Sequence, residues 1–400
     1  MILRTDYMDR ITPFIGLEPV KVLTGLRRSG KSVMLKLIQK EIADKGGIPE
    51  ANIISYNFEN MNTPRDAEAL HSEVAKRISG TTGKVFMFFD EIQEVQNWEK
   101  CINSLRVEYD CDIYITGSNA KLLSGELATY LAGRYVEFVI YPFSFREFLS
   151  MPSQSGDSVP SAFRRYLQLG GMPFLSNIAD NQEACNLYLT DIYNSVILKD
   201  VVRRHNIRDV DQLERVITYV LANIGHSFSA TSLSKYFKNE HRTVSHDTIL
   251  NYTKACTDAF LFCKINREDL QGKKVLTINE KYYVADHGLR NAVYGQADDI
   301  DQVLENIVCL ELLRRGYKVT VGRNGEKEID FVATKNGEKL YVQVCYLLAS
   351  KETIEREFGA YKGVPDNYPK YVVSLDEISM NRNGIKHMNI AEFLLKDEWK

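Results

Sequence analysis

The chain has 400 residues, 44% of them hydrophobic and 26% charged, with a net charge of -3 at neutral pH. That is more chain than one hydrophobic core organises, so two to four domains are expected, and the small net charge confines any nucleic-acid surface to a local patch. The seven cysteines are scattered without a CxxC pair, which argues against a zinc cluster or a disulfide framework, and charges break the N-terminal apolar residues before a signal-like run forms. A cytoplasmic protein without a membrane span is expected.

Short β-rich runs at Val20 to Thr24, Ile53 to Phe58, Val85 to Phe89, Asp112 to Thr116 and Tyr135 to Ile140 alternate with polar-faced segments suited to helices. This pattern predicts an α/β domain with a helix-covered parallel sheet. The first run leads into Gly25, Leu26, Arg27, Arg28, Ser29, Gly30, Lys31 and Ser32, which match GxxxxGK(S/T), and Val33, Met34, Leu37 and Ile38 open an apolar-periodic helix behind them. Strand, glycine-rich loop and helix stand where a P-loop needs them. Gly25 and Gly30 let the backbone wrap phosphates, Lys31 reaches their charge, and Ser32 ligates Mg²⁺, so ATP with Mg²⁺ is the expected ligand.

The apolar strand at Phe86 to Phe89 ends in Asp90 and Glu91, which places two carboxylates at the sheet edge where ligands bind. Asp90 is assigned to the Mg²⁺ shell and Glu91 to polarising the attacking water. Ser118 and Asn119, at the tip of the fourth run, are small polar groups able to orient that water or simply to make a turn. Arg134, before the fifth run, is either a cation presented to a neighbouring subunit's phosphate or a solvated arginine.

The segments GLRRSGKS, FFDEIQ, ITGSNAKLLS, LAGRY and Tyr141 to Glu147 resemble the prokaryotic AAA+-superfamily ATPases that bear a C-terminal domain of unknown function. The likeness continues through Gly170 to Pro173, Asp191 to Tyr193 and Lys281 to Ala292. It implies an AAA+ core over residues 1–150, a helical lid over 151–205, a winged helix-turn-helix over 206–295 and a nuclease-like tail over 296–400. It further implies that Ser118 or Asn119 is a sensor, that Arg134 is an arginine finger, and that Asn57 restrains the catalytic glutamate.

The polar stretch from Ser153 to Pro160 reads as a loop or linker. Helical periodicity from Ala162 to Arg204 suggests a lid packed on the core. Helices at Val210 to Gly225, at Ala230 to Phe237 and from a capping Ser245 onward precede strand-like runs at Phe260 to Ile265 and Lys273 to Ile278, the order of a winged helix. Thr248, Asn251 and Lys254 share one face of the third helix, and Lys273 and Lys274 would lie near the wing, where they could touch double-stranded DNA. Against this, residues 206–295 hold twelve Lys and Arg beside ten Asp and Glu, a small surplus for a DNA binder.

A helix over 299–315 carrying Glu305 is followed by strand-like runs at Tyr317 to Gly322, Glu328 to Ala333 and Leu340 to Tyr346, with Asn-Gly hairpin signals between them. A helix near Lys351 to Ala360 and a strand at Tyr371 to Ser374 complete the unit. With Asp330 in place this resembles the PD-(D/E)xK nuclease fold. The third strand departs from that pattern, because Gln343 and Cys345 stand where the acid and the lysine belong, and Lys339 and Lys351 are the lysines nearest in sequence.

The combined reading is an oligomeric ATPase, a ring being one form, that acts on DNA or a DNA-bound partner. Its alternatives are a slow nucleotide-dependent scaffold working through protein contacts and an ATP-licensed nuclease.

Overall fold

The computed structural model describes residues 2–120, 131, 133–152, 156–272, 274–295, 299–364 and 366–400, with the side chains of 45, 46 and 274–279 left aside. The chain divides into two compact units, Met1–Tyr141 with Asp258–Phe260, and Pro142–Thr257 with Leu261–Lys400.

In the first unit the five β-rich runs form β1 (Val20–Thr24), β2 (Ile53–Asn57), β3 (Val85–Asp90), β4 (Cys111–Thr116) and β5 (Tyr135–Val139). They pair in parallel in the order β2-β3-β4-β1-β5. Every residue of β1, β3 and β4 is buried, as expected for central strands covered on both faces. Alternation sends Val85, Met87 and Phe89 into the cluster that also holds residues of α3 (Ala67–Ile78) and α4 (Trp98–Glu108). Phe86 and Phe88 enter the opposite cluster with residues of α1 (Thr5–Ile11) and α2 (Lys31–Gly46).

The second unit opens with α5 (Phe145–Leu149), α6 (Val159–Leu169) and α7 (Gln182–Ser195), the last running on as a π-helical stretch over Val196–Arg203. Of the sequence stretch read as a linker, residues 153–155 lie outside the described residues, while Ser158 caps α6 and Val159 and Pro160 already belong to it. The helices α8 (Val210–Ala222), α9 (Ala230–Asn239) and α10 (His246–Asp258) stand where the winged-helix pattern places them, and the Ser245 hydroxyl accepts from the Thr248 amide at 3.1 Å. Strands β6 (Phe262–Asp269) and β7 (Lys274–Val284) then form an antiparallel hairpin.

The hairpin extends beyond the expected wing. β7 runs on through Lys281 to Val284, and β6 pairs in parallel with β8 (Lys318–Asn324). One seven-stranded sheet results, in the order β12-β11-β10-β9-β8-β6-β7, where β9 is Lys327–Lys335, β10 Glu338–Val344, β11 Lys370–Ser374 and β12 Lys386–Asn389. Residues expected as a wing and residues expected as a tail therefore share backbone hydrogen bonds. Both Asn-Gly turns form, with positive φ at Gly325, Asn336 and Gly337.

The motif Gly170 to Pro173 meets the start of α11 (His287–Tyr294) in a buried polar junction. Asp286 accepts from the amides of Gly171 at 2.7 Å and Leu289 at 3.2 Å, and the His287 ring bonds the Tyr166 carbonyl at 2.6 Å. A β-carbon on Gly170 would come 2.3 Å from the Asp286 carboxylate, so the junction accepts only glycine there. Burial pushes Asp286 up to about 6, against the pull of its backbone donors, and pushes His287 down to about 4.

The two shifts have opposite consequences. Asp286 holds a proton more tightly when folded, which stabilises below its unfolded value and is lost as pH rises through about 6. His287 stays neutral when folded, which stabilises above its unfolded value and is lost as pH falls through about 4. Each contributes a slope of at most about 1.4 kcal/mol per pH unit, so they largely cancel between about pH 4 and 6. In Asp286→Asn the urea midpoint should rise with pH across that window, and in His287→Gln it should fall. Parallel profiles in both variants would remove the assignment.

Candidate functional site

The site is assembled where β1 and β3 end. Gly25 leaves β1 with φ of 136°, and a β-carbon there would lie 2.3 Å from the Ile140 carbonyl, so close passage of the loop beside the chain after β5 requires glycine. Gly30, with φ of 103°, caps α2, and Lys31 and Ser32 form its first turn. The first-turn amides, which have no intrahelical acceptor, and the positive end of the helix dipole face the loop. Leu26 is buried, Arg27 lies 3.9 Å from Glu59, and Arg28 takes a positive φ of 64°.

The buried Lys31 ammonium turns back on the loop, donating to the carbonyls of Gly25 at 3.2 Å and Leu26 at 3.1 Å, with Glu91 at 4.0 Å. Ser29 Oγ is buried without a hydrogen-bond partner. A lysine spending its donors on carbonyls, an orphaned hydroxyl and a loop of enforced positive φ fit a polyphosphate.

Asp90 and Glu91 are oriented by β4. Thr116 Oγ1 donates to Asp90 Oδ1 at 2.6 Å and accepts from the Glu91 amide at 2.8 Å. Asn57 Nδ2 donates to Asp90 Oδ2 at 3.0 Å, and the Ser32 hydroxyl also bonds Asp90. Burial pushes the Asp90 carboxyl above its ordinary value despite these donors, which suits a carboxylate that completes its charge balance with a cation. Ser32 and Asp90 together are hard oxygen ligands for Mg²⁺.

Glu91 leaves β3 in the left-handed region at φ 55° and ψ 48°, a conformation costing about 1–3 kcal/mol in a non-glycine residue. Its carboxylate receives a hydrogen bond from Gln93 Nε2. The expectation for Asn57 therefore needs correction: its side chain holds Asp90, and the residue that restrains Glu91 is Gln93.

Ser118 and Asn119 are buried at the tip of β4, where Gly117 N bonds the Leu23 carbonyl at 3.1 Å. Arg134 is exposed at the opposite edge of the sheet, its carbonyl accepting from Val20 N at 2.9 Å. The five residues of β1 separate it from its own P-loop by roughly 16 Å.

Arg4 was not legible as a site residue. It is buried, stacks on the Tyr7 ring at 4.5 Å, and donates to the carbonyls of Ser29 at 3.1 Å and Tyr141 at 2.8 Å. The guanidinium thus ties the middle of the P-loop to the chain after β5.

In the second unit, the proposed DNA face of α10 is turned outward: Asn251 and Lys254 are exposed and Thr248 is partly so, while Ile249, Tyr252 and Cys256 are buried. Thr248 Oγ1 is engaged by the capping Ser245 at 2.8 Å. Lys273 lies outside the described residues, and Lys274 opens β7.

Glu305, on α12 (Ile300–Arg314), and Asp330, on β9, lie close enough that Glu305 adds to the burial that holds Asp330 well above its ordinary value. Gln343 joins them, accepting from Asp330 N at 3.2 Å and donating to Glu357 on α13 (Lys351–Gly359) at 2.9 Å. Cys345 instead belongs to an apolar cluster with Phe358 and Tyr361, and burial pushes its thiol up. Lys339 pairs with Glu268 at 3.1 Å and so does not serve this group. Among the described residues no group of three or more His, Cys, Asp or Glu side chains is placed to hold a metal ion.

Sheet order and P-loop define a nucleotide-binding AAA domain. Residues 17–149 match the family described as an AAA domain, and residues 160–300 match a domain of unknown function (DUF8612). The chain belongs to one family with an uncharacterized protein of Haemophilus influenzae, to which it is 36% identical over 99% of each chain. An uncharacterized protein of Methanocaldococcus jannaschii is 29% identical over 93% of this chain and 85% of its own. Among solved structures, the Aeropyrum pernix ORC1 protein in complex with DNA is 14% identical, with a TM-score of 0.34 over 73% of this chain and 92% of that one.

Arg4 touches the loop backbone only, so its removal tests the loop's shape. Arg4→Met should weaken binding of a fluorescent ATP analogue by about ten- to a hundredfold, since one buried charged hydrogen bond contributes about 1.5–3 kcal/mol. Unchanged affinity would mean that the loop holds its shape without the guanidinium.

Proposed function

We propose that the protein is an Mg²⁺-dependent ATPase working as a homo-oligomer on double-stranded DNA or a DNA-bound partner in the cytoplasm. The observation that carries the ATPase reading is the convergence of Lys31, Ser32, Asp90 and Glu91 at the ends of two buried parallel strands. Lys31 neutralises the β and γ phosphates, and the amides around Gly30 bind their oxygens. Ser32 and Asp90 hold Mg²⁺, which neutralises charge on the phosphates when bound. Glu91 accepts the proton of the attacking water, and Ser118 or Asn119 orients that water.

Seven free cysteines, six of them buried, suit a reducing compartment, and among the described residues no helix is long and apolar enough to cross a membrane. The position of Arg134 favours action across a subunit boundary. The outward face of α10 favours a nucleic-acid contact through Asn251 and Lys254. The tail is read as nuclease-like in fold without cleaving DNA, its lost lysine and acid being replaced by Cys345 and Gln343.

Lys31→Ala should lose most ATP affinity, whereas Glu91→Gln should bind ATP normally and turn it over at least a hundredfold more slowly, as seen by isothermal titration and phosphate release. Undiminished turnover in Glu91→Gln would show that the base is another residue. A slow scaffold is the alternative favoured by the Gln93 hydrogen bond that restrains Glu91.

One titration separates these readings. Phosphate release should rise with duplex DNA and, per subunit, with protein concentration, while Arg134→Ala should bind nucleotide but lose the concentration dependence. Lys254→Glu should weaken duplex binding and reduce its salt slope by about one unit. A rate indifferent to DNA and to protein concentration would leave the scaffold.

A further inference from the structure

Lys281 lies near the end of β7, in the hairpin expected as a wing, yet its side chain is buried in the tail. Its ammonium is 3.0 Å from Glu305 and 2.8 Å from Glu328. Tyr283, on the same strand face, donates to the same Glu305 oxygen. Burial alone would lower the Lys281 pKa, but Glu305, Asp330 and Glu328 overcome that and hold the ammonium charged. On Asp330 the effect is reciprocal: burial and Glu305 raise its carboxyl, Lys281 pulls it back, and the Val344 amide donates to it at 2.8 Å.

The PD-(D/E)xK resemblance implies a divalent cation held by the helix acid and the strand acid, here Glu305 and Asp330. The residues present do not fit one. Glu305 Oε1 is held by both Lys281 and Tyr283, Asp330 Oδ2 by the Val344 amide, and the third position is the neutral Gln343. Gly225 packs beside the Glu305 carboxylate, where a β-carbon would come within 3.2 Å, and Ser227 forms an isolated backbone bridge with Lys281.

We infer that the Lys281 ammonium is a built-in counter-ion occupying the place of the divalent cation among Glu305, Glu328 and Asp330, and that this one side chain keeps a latent metal site shut. The charge argument is direct. Glu305 and Glu328 both pair with Lys281 and Asp330 lies in the same field; Arg267 also pairs with Glu328, and the lysine on β7 answers Glu305 without the hydrated, labile coordination that phosphodiester hydrolysis requires. The same ammonium pins the wing hairpin to the tail. The inference rests on the nuclease-like reading of the tail, but concerns cation occupancy, not cleavage.

The test is Mn²⁺ binding without nucleotide, followed by electron paramagnetic resonance, on proteins that all share an unaltered P-loop. Wild type and Asp330→Asn should bind Mn²⁺ identically. Lys281→Met should gain one Mn²⁺ per chain and melt higher in Mn²⁺ than in EDTA, and Lys281→Met with Glu305→Gln should lose both effects. Should Lys281→Met fail to fold, Lys281→Met with Glu328→Gln removes the excess charge while keeping Glu305 and Asp330, and should gain the same ion. Mn²⁺ bound by wild type and lost in Asp330→Asn would overturn the inference, as would a folded Lys281 variant with no added ion. Incubating wild type with supercoiled DNA and Mg²⁺ or Mn²⁺ separates the two readings: cleavage lost in Asp330→Asn overturns both, whereas Mn²⁺ bound without cleavage overturns only the occluded site.

Discussion

The Thr116 hydroxyl sets the geometry of the nucleotide site. It donates to Asp90 and accepts from the Glu91 amide, so one side chain on β4 fixes both acids at the end of β3. A buried carboxylate needs donors, and Asp90 finds them on strands either side, Thr116 on β4 and Asn57 on β2. With Asp90 anchored, the chain turns through the left-handed conformation at Glu91, which directs the second carboxylate towards Lys31. Backbone strain at that residue is sustained by the surrounding hydrogen bonds, as is common where geometry serves chemistry.

That arrangement explains which parts of the site were legible in the sequence. The P-loop is a contiguous run whose glycines, lysine and serine each answer a local requirement, so spacing alone located it, and the five strands followed from runs of β-branched and aromatic residues bounded by polar segments. Partners that depend on strand register were not legible. Asn57 lies opposite Asp90 in the β2–β3 pairing, which delivers its amide to the aspartate, while Gln93 reaches Glu91 because of the left-handed turn between them. Arg4 was hidden for a related reason: nothing in a short N-terminal helix announces that the residue preceding it will hold a loop twenty-five residues away.

The second unit shows the same boundary between local and non-local information. Helix ends, the Ser245 cap and both Asn-Gly turns are written in adjacent residues and were readable. The pairing of β6 with β8 was not, because parallel neighbours distant in sequence leave no periodic mark. Dividing the chain between a wing and a tail follows motif order, whereas the backbone hydrogen bonds cross that division.

This continuity bears on how buried charge is balanced in the second unit. Gln343 and Cys345 carry no charge, whereas Glu305, Glu328 and Asp330 are acids, of which Glu328 also pairs with Arg267. A cation must come from somewhere, and a sheet extended by the hairpin brings Lys281 within 3.0 Å of the helix acid. The ammonium that neutralises the cluster is then also a tie between two segments, so the residue that closes the site to metal is one the fold cannot easily discard. A buried ion is costly to break and modest in net stability, and its strongest effect is to specify which strands lie together.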